Sequence, residues 1–138
     1  ITCRDWSSDV CSSDLLARSG EPLKVILPSY GEERIRRLVD LIRRNPLLIR
    51  DFAQGHSRIE RLRDKLHKAE MQILVALFRK YLPESAEPGC PSAEDYAFLF
   101  LGMLRGNDRL LTKTDGLGEA IRLSSVASWL VFRSLSVQ

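Results

Sequence analysis

Few side chains of this sequence have the types and spacing that chemistry at a protein site requires. The candidates for nucleophilic, metal-binding or acid–base roles are three cysteines and two histidines. His56 directly precedes Ser57, and His67 lies within the charged stretch RLRDKLHK. A small helical enzyme would need one of these histidines to converge with a carboxylate in a cleft, and neither has such a partner at a useful spacing. We therefore predict surface or helix-capping roles for both, no catalytic residue and no enzyme activity.

Two of the three cysteines fall in a segment that does not resemble natural protein sequence. Residues 5–15, DWSSDVCSSDL, match a translated sequencing adapter, in which the codons GAC TGG AGT TCA GAC GTG TGC TCT TCC GAT encode the first ten residues. We interpret residues 1–15 as an artefact of that origin and exclude them from the fold. Cys90 remains, in the loop sequence PGCP, and one thiol makes neither a disulfide framework nor a metal site. We expect no metal, no cofactor and a reducing, cytoplasmic location.

An arginine-rich stretch is the strongest charged feature of the chain. Without residues 1–15, 20 Lys and Arg stand against 15 Asp and Glu, a net charge of +5, which is below what a nucleic-acid-binding domain usually carries. The stretch could contact phosphate, but Glu32, Glu33 and Asp40 lie among the arginines and no base-reading element accompanies them. We favour a solvated helix face. The arginines are Arg34, Arg36, Arg37, Arg43, Arg44 and Arg50.

Apolar residues recur at three- and four-residue spacing along the chain, and this pattern predicts an all-α protein. The third predicted helix begins with a capping box formed by Ser57 and Glu60, and the fourth has Ser92 as its N-cap residue. Proline and glycine mark most of the other boundaries. We expect a bundle of about five helices, over residues 32–44, 46–55, 57–82, 92–105 and 119–135.

The last two predicted helices are apolar on more than one side. Almost every position from Tyr96 to Leu104 is hydrophobic, and the final helix has large apolar groups all round. Such helices are buried on more than one face, and five helices offer too few neighbours to cover both. The apolar side chains that remain uncovered predict a homodimer with two-fold symmetry. The expected interface residues are Phe98, Leu101, Arg105, Val126, Trp129, Leu130 and Arg133.

Aromatic and thioether side chains could line a cavity inside the bundle. Helical bundles hold ligands between facing helices, and methionine and aromatic groups suit adaptable apolar pockets. The same residues could also form a closed core. The candidate ligand-binding residues are Phe52, Met71, Phe78, Tyr96, Phe100 and Met103.

The order of these elements resembles the C-terminal ligand-binding and dimerisation domain of TetR-family transcriptional regulators. The resemblance is carried by IRRLVDLIRRNPLLIRDF with its helix–Asn-Pro–helix break, by PSAEDYAFLFLGMLRG and by the final AIRLSSVASWLVFRSLS. It covers about residues 32–135. It implies a cytoplasmic homodimer formed by the last two helices, a pocket for a small apolar effector in each subunit, and a preceding helix-turn-helix that this chain lacks.

The resemblance also implies how the chain is divided and what it contacts. Residues 16–30 are expected to be a linker or a remnant of a connecting helix, and residues 31–138 the helical domain. Operator DNA would be a partner of the intact regulator only, in which effector binding changes the spacing of two DNA-binding units. No membrane contact is expected, because no apolar run reaches the length of a membrane span.

A helical protein–protein interaction module without a ligand pocket is the alternative. A cavity between the third and fourth predicted helices would favour the regulator, and a solid core there would favour the interaction module.

Overall fold

The computed structural model describes residues 21–47, 57–82, 88–113 and 115–136. Over these ranges the regular structure is entirely helical, so the prediction of an all-α protein is confirmed. Apart from its first two residues, the predicted helix over 46–55 lies outside the described residues, as do Phe52, Arg50 and His56. The elements are α1 (Leu23–Arg44), α2 (Ser57–Tyr81), α3 (Ala93–Gly106), a 3-10 helix (Asp108–Thr112) and α4 (Gly116–Ser136).

Helix α1 begins nine residues before the predicted start at residue 32. Pro28 lies inside the helix and has no backbone N–H, so the bond to the carbonyl four residues earlier is missing. Leu23, Ile26 and Leu27 are nevertheless buried in the core, and this burial outweighs the missing bond. Residues 23–30, expected to be a linker or a helix remnant, are therefore helical.

Helix α3 begins and ends where the sequence predicts. The Ser92 Oγ accepts from the Asp95 backbone N–H at 3.2 Å, and the Asp95 carboxylate accepts from the Ser92 N–H at 2.9 Å. This reciprocal capping box satisfies two backbone donors that would otherwise have no partner. The helix ends at Gly106, and Asn107 continues directly into the 3-10 helix.

Helix α4 starts three residues earlier than the predicted residue 119, and the 3-10 helix precedes it. Its first residue, Gly116, lies directly against the Leu110 carbonyl. A Cβ built on Gly116 would stand 1.5 Å from that oxygen. A side chain at this position would therefore push α4 away from the 3-10 helix.

Helix α4 is the element on which the others converge. It packs against α1, α3 and the 3-10 helix, and α3 also packs against α2. Side chains from all four α-helices meet in one apolar core. Its most buried members include Ile26, Leu27, Leu74, Phe78, Phe100, Leu101 and Ala127.

A buried group of charged side chains joins α1, α2 and the 3-10 helix, and we call it the buried ion network. Arg34 donates from Nε to Glu70 Oε1 at 2.7 Å. Its Nη1 and Nη2 donate to the two oxygens of Asp108 at 2.6 and 2.9 Å. The Tyr30 hydroxyl donates to the same Glu70 oxygen at 3.0 Å. None of the three charged side chains is more than 5% exposed.

The buried ion network corrects the prediction for Arg34, which does not belong to a solvated face. The residue shares the inward side of α1 with Ile35 and Leu38. The solvated face is confirmed for Arg36 and Arg44, which are exposed. The arginines that pair with a carboxylate four residues earlier are Arg36 with Glu32, Arg37 with Glu33, and Arg44 with Asp40.

The buried ion network holds one cation and two carboxylates, and the surplus negative charge affects Glu70. Burial raises the pKa of Glu70, and Asp108 adds to this effect, whereas Arg34 and Tyr30 oppose it without cancelling it. Burial by itself lowers the pKa of Arg34, but Glu70 and Asp108 outweigh burial and raise it. Because Glu70 holds its proton more tightly in the folded chain, its contribution to stability falls as pH rises from about 4.5 through the raised pKa.

Replacing Arg34, the cation of the buried ion network, should show how much the network contributes to the free energy of unfolding. We expect Arg34→Met to lower the free energy of unfolding by about 3–5 kcal/mol, because two carboxylates stay buried without their partner. Arg36→Met is the matched control on the exposed side of α1 and should change it by less than about 0.5 kcal/mol. Urea denaturation followed by circular dichroism measures both, and equal losses in the two variants would contradict this role.

Helices α1 and α4 approach closely at Gly31 and Ser124. A Cβ built on Gly31 would lie 2.0 Å from Ser124 Oγ, 3.4 Å from Ser124 Cβ and 3.6 Å from a methyl of Leu104. Ser124 Oγ is buried and has no hydrogen-bond partner among the described residues. A side chain at residue 31 would therefore force the Ser124 hydroxyl, or the two helices, to move.

The effect of a methyl group at residue 31 should depend on that hydroxyl. We expect Gly31→Ala to destabilise the parent chain by about 1–3 kcal/mol through overpacking. In a Ser124→Ala background the same change should be neutral or stabilising by up to about 1 kcal/mol, since alanine is the better helix former. Urea unfolding of the four proteins gives the coupling energy, and additive effects would show that the two residues do not meet.

Candidate functional site

A surface cleft of about 460 Å³ opens between α2, α3 and the 3-10 helix. Phe98, Gly102 and Arg105 follow one another at four- and three-residue spacing, which places them on one side of α3. The glycine carries no side chain, and a Cβ built on it would meet nothing within 4 Å. The residues that line the cleft are His67, Phe98, Gly102, Arg105, Gly106 and Arg109.

A hydrogen bond between His67 and Arg105 organises the cleft. The Arg105 Nη1 lies 2.8 Å from His67 Nδ1. A guanidinium group can only donate, so Nδ1 accepts and the ring proton of the neutral imidazole is on Nε2. The Phe98 ring meets the imidazole at right angles, with 6.4 Å between ring centres. The two α3 side chains thus hold the imidazole in one orientation.

The charges around His67 favour its neutral form. Burial lowers the pKa of His67, and the positive charges of Arg105 and Arg34 lower it further, while Asp64 opposes them. The ring is therefore uncharged at neutral pH, in agreement with the hydrogen bond that it accepts. His67 is half-buried at the surface. The predicted surface role did not include its hydrogen bond with Arg105.

The lining of the cleft is basic. Arg105 and Arg109 contribute two positive charges, and none of the described residues that line the cleft carries a carboxylate. Asp108, the neighbour of Arg109 in the chain, is turned into the core, where it pairs with Arg34. The arrangement can donate hydrogen bonds to an anion.

Five of the six predicted ligand-binding residues lie within the described part of the chain, and they pack together. Phe78 stacks on Tyr96 with 5.8 Å between ring centres, and meets Phe100 edge-on at 6.3 Å. Met71 and Met103 are partly buried against the same cluster. None of them lines the cleft. Their role in ligand binding stays a prediction, and their observed role is to fill the core between α2 and α3.

The predicted interface residues divide into three groups. Trp129, Leu130, Val126 and Phe98 are 60%, 48%, 40% and 59% exposed, and Arg133 is exposed with them. Arg105 is half-buried in the cleft.

The third group is Leu101, which was predicted to lie at the dimer interface. It is fully buried in the core of the subunit. The buried side of α3 runs through Ala97, Leu101 and Leu104, so the neighbouring Leu99, 61% exposed, carries the apolar surface instead.

Protein-family models, curated proteins and solved structures gave no match to the chain. The fold and the site define, over the described residues, an all-helical protein with a basic cleft and an exposed apolar face on its last helix. None of the helices in that part of the chain combines the length and apolarity needed to cross a membrane. No metal-ligand cluster occurs among the same residues.

Sequence reasoning did not find the cleft. It placed Arg105 at a subunit interface, and it assigned no role to Arg109. The available signal was the four-residue spacing of Arg105 and Arg109 across the glycine that ends α3, which brings both side chains to one end of the bundle. The contribution of His67, 38 residues before Arg105, depends on how α2 and α3 pair.

The titration of His67 should report its contact with Arg105. We expect the pKa of His67, measured by NMR, to lie below 6.5, so its contribution to stability is lost as pH falls from 6.5 through the lowered pKa. Arg105→Gln removes a neighbouring positive charge and should move the pKa back toward 6.5, although burial remains. Arg43→Gln on α1 is the control. An unchanged His67 titration in Arg105→Gln would argue against the contact.

Proposed function

We propose that this chain is the effector-binding and dimerisation domain of a TetR-like transcriptional regulator, and that it self-associates through the exposed faces of its last two helices. One observation carries the proposal: Val126, Trp129 and Leu130 form a large apolar surface on one side of α4. Nothing in the described subunit covers it.

The apolar surface of α4 has the shape of a packing face. Its members recur at the three- and four-residue spacing that aligns side chains along one side of a helix. Exposed tryptophan is costly to leave in water, and contiguous apolar patches on monomers usually mark interaction sites. Ser125 lies beside the patch and is small enough to let a second helix approach. The same patch on a second copy is complementary to it across a two-fold axis.

Exposed apolar residues of α3 and the position of the cleft also support a regulator. Phe98 and Leu99 are exposed apolar side chains on the helix before α4. The cleft lies between α2 and α3, which are the third and fourth elements of the predicted five-helix bundle. In that reading an effector bound to one subunit would alter the geometry of the dimer.

An interaction module without a ligand pocket is the second candidate. The observation that favours it is the direct contact of Phe78 with Tyr96 and Phe100, which leaves these rings packed on one another. In this reading the apolar face of α4 would bind a different protein, and the chain alone would be monomeric.

Sedimentation equilibrium of the full chain separates the two candidates. We expect a dimer, and we expect Trp129→Arg to weaken it by roughly 30-fold or more, as for an interface hot spot. Because Trp129 is 60% exposed, the variant should keep the helical content and thermal stability of the subunit. Val25→Arg makes the same kind of change at an exposed position of α1 and should stay dimeric. A parent chain that is monomeric at high concentration would refute the proposal.

A further inference from the structure

We propose that His67 is a pH-sensitive switch between two partners: the neutral ring accepts a hydrogen bond from Arg105 on α3, and the protonated ring donates instead to Asp64 on its own helix. Protonation thus replaces a link between α2 and α3 by a contact within α2. The switch lies inside one subunit, away from the apolar surface of α4, and it does not rest on self-association.

The bond between His67 and Arg105 exists only while the imidazole is neutral. The Arg105 Nη1 lies 2.8 Å from His67 Nδ1, and a guanidinium group has no acceptor. Nδ1 must therefore supply the lone pair. A protonated imidazole carries a hydrogen on both nitrogens, so the two groups would face each other as donors and as like charges. Protonation of His67 therefore breaks the bond.

Asp64 is placed to receive the protonated ring. It precedes His67 by three residues within α2, and side chains at this spacing are neighbours on the surface of a helix. Asp64 is exposed, and its charge already favours the protonated form of His67. A turn of the side chain toward Asp64 gives the imidazolium both an acceptor and an opposite charge. The protonated state therefore has a partner of its own.

The positive charges near His67 make the switch respond to its protonation. Burial lowers the pKa of His67, and Arg105 and Arg34 lower it further. Arg34 is held in the buried ion network and cannot move away from a charged ring, whereas Arg105 lies in the surface cleft and can. The charged groups on the described elements around the ring are Asp64 and Glu70 on α2, Arg34 on α1, Arg105 on α3, and Asp108 and Arg109 on the 3-10 helix.

NMR of the full chain tests both states of the ring. We expect the nitrogen shifts of neutral His67 to show a proton on Nε2 and none on Nδ1, the tautomer that can accept from Arg105. Asp64→Asn should lower the pKa of His67 further, because it removes the charge that stabilises the protonated ring. Asp40→Asn makes the same change at an exposed position of α1 and should have no effect. A proton on Nδ1 of the neutral ring, or the same titration in the parent and Asp64→Asn chains, would overturn the proposal.

Double-mutant cycles measure the two contacts on both sides of the measured pKa. His67→Phe, Arg105→Met and Asp64→Asn supply the single changes, and urea unfolding supplies the folding equilibrium constants. Above the pKa, we expect the contact of His67 with Arg105 to favour folding by roughly fivefold or more, and the contact with Asp64 to contribute little. Below the pKa, the first coupling should disappear or change sign, and the second should appear. Couplings that stay the same across the pKa, or a chain that unfolds before His67 titrates, would contradict the switch.

His67→Gln separates the switch from a purely structural role of the side chain. Glutamine keeps an oxygen acceptor that Arg105 can use, but it does not titrate. The coupling of this variant with Arg105→Met should therefore be the same at both pH values. If it still changed over the pH range in which His67 titrates, another group would be responsible and the proposal would fail.

Trp129→Arg separates the switch from self-association. The same cycles in this background should give the same couplings, because the switch lies within α2 and α3. Loss of the pH-dependent couplings there would place the switch in the dimer contact and would overturn its assignment to one subunit. A monomeric parent chain that shows both couplings would support the switch and refute only the dimer.

Discussion

The fold depends on the pairing of two buried carboxylates with one arginine. Glu70 and Asp108 come from different elements, and both are directed at Arg34 of α1. Replacing a whole buried ion network by apolar groups is often neutral or stabilising, whereas removing one partner is severely destabilising. Any packing that separates α1 from α2 or from the 3-10 helix leaves a charge without a partner in the core.

The same network determines the character of the cleft. Asp108 is drawn into the core by Arg34, and Arg109, the next residue, then lies on the surface side of the 3-10 helix, at the cleft. If Asp108 faced the cleft instead, it would bring a carboxylate to Arg105 and Arg109. Arg34 also lowers the pKa of His67, although Arg105 affects it more. A buried interaction thus keeps one carboxylate away from an adjacent surface.

The sequence was informative where local rules decide the structure. Ser92 predicted the start of α3, and apolar periodicity predicted an all-helical chain, because capping and amphipathicity act over only a few residues. The start of α1 was predicted too late, since the burial of Leu23, Ile26 and Leu27 keeps Pro28 inside a helix against its local preference. Arg34 was misassigned for a related reason: its charged neighbours are solvated, and only tertiary contacts with Glu70 and Asp108 make its burial possible.

The position of Leu101 shows why the sequence could not predict which apolar residues are exposed. Helix α3 is apolar almost all round, so composition alone could not say which of Phe98, Leu99 and Leu101 faces the core. The outcome depends on α4, whose small residues Ser124, Ala127 and Ser128 are buried, and which approaches α1 at Gly31. These small residues share the buried side of α4 with Val131, whereas Val126, Trp129 and Leu130 lie on its exposed side. The packing of α4 against its neighbours therefore decides which of its apolar residues remain on the surface.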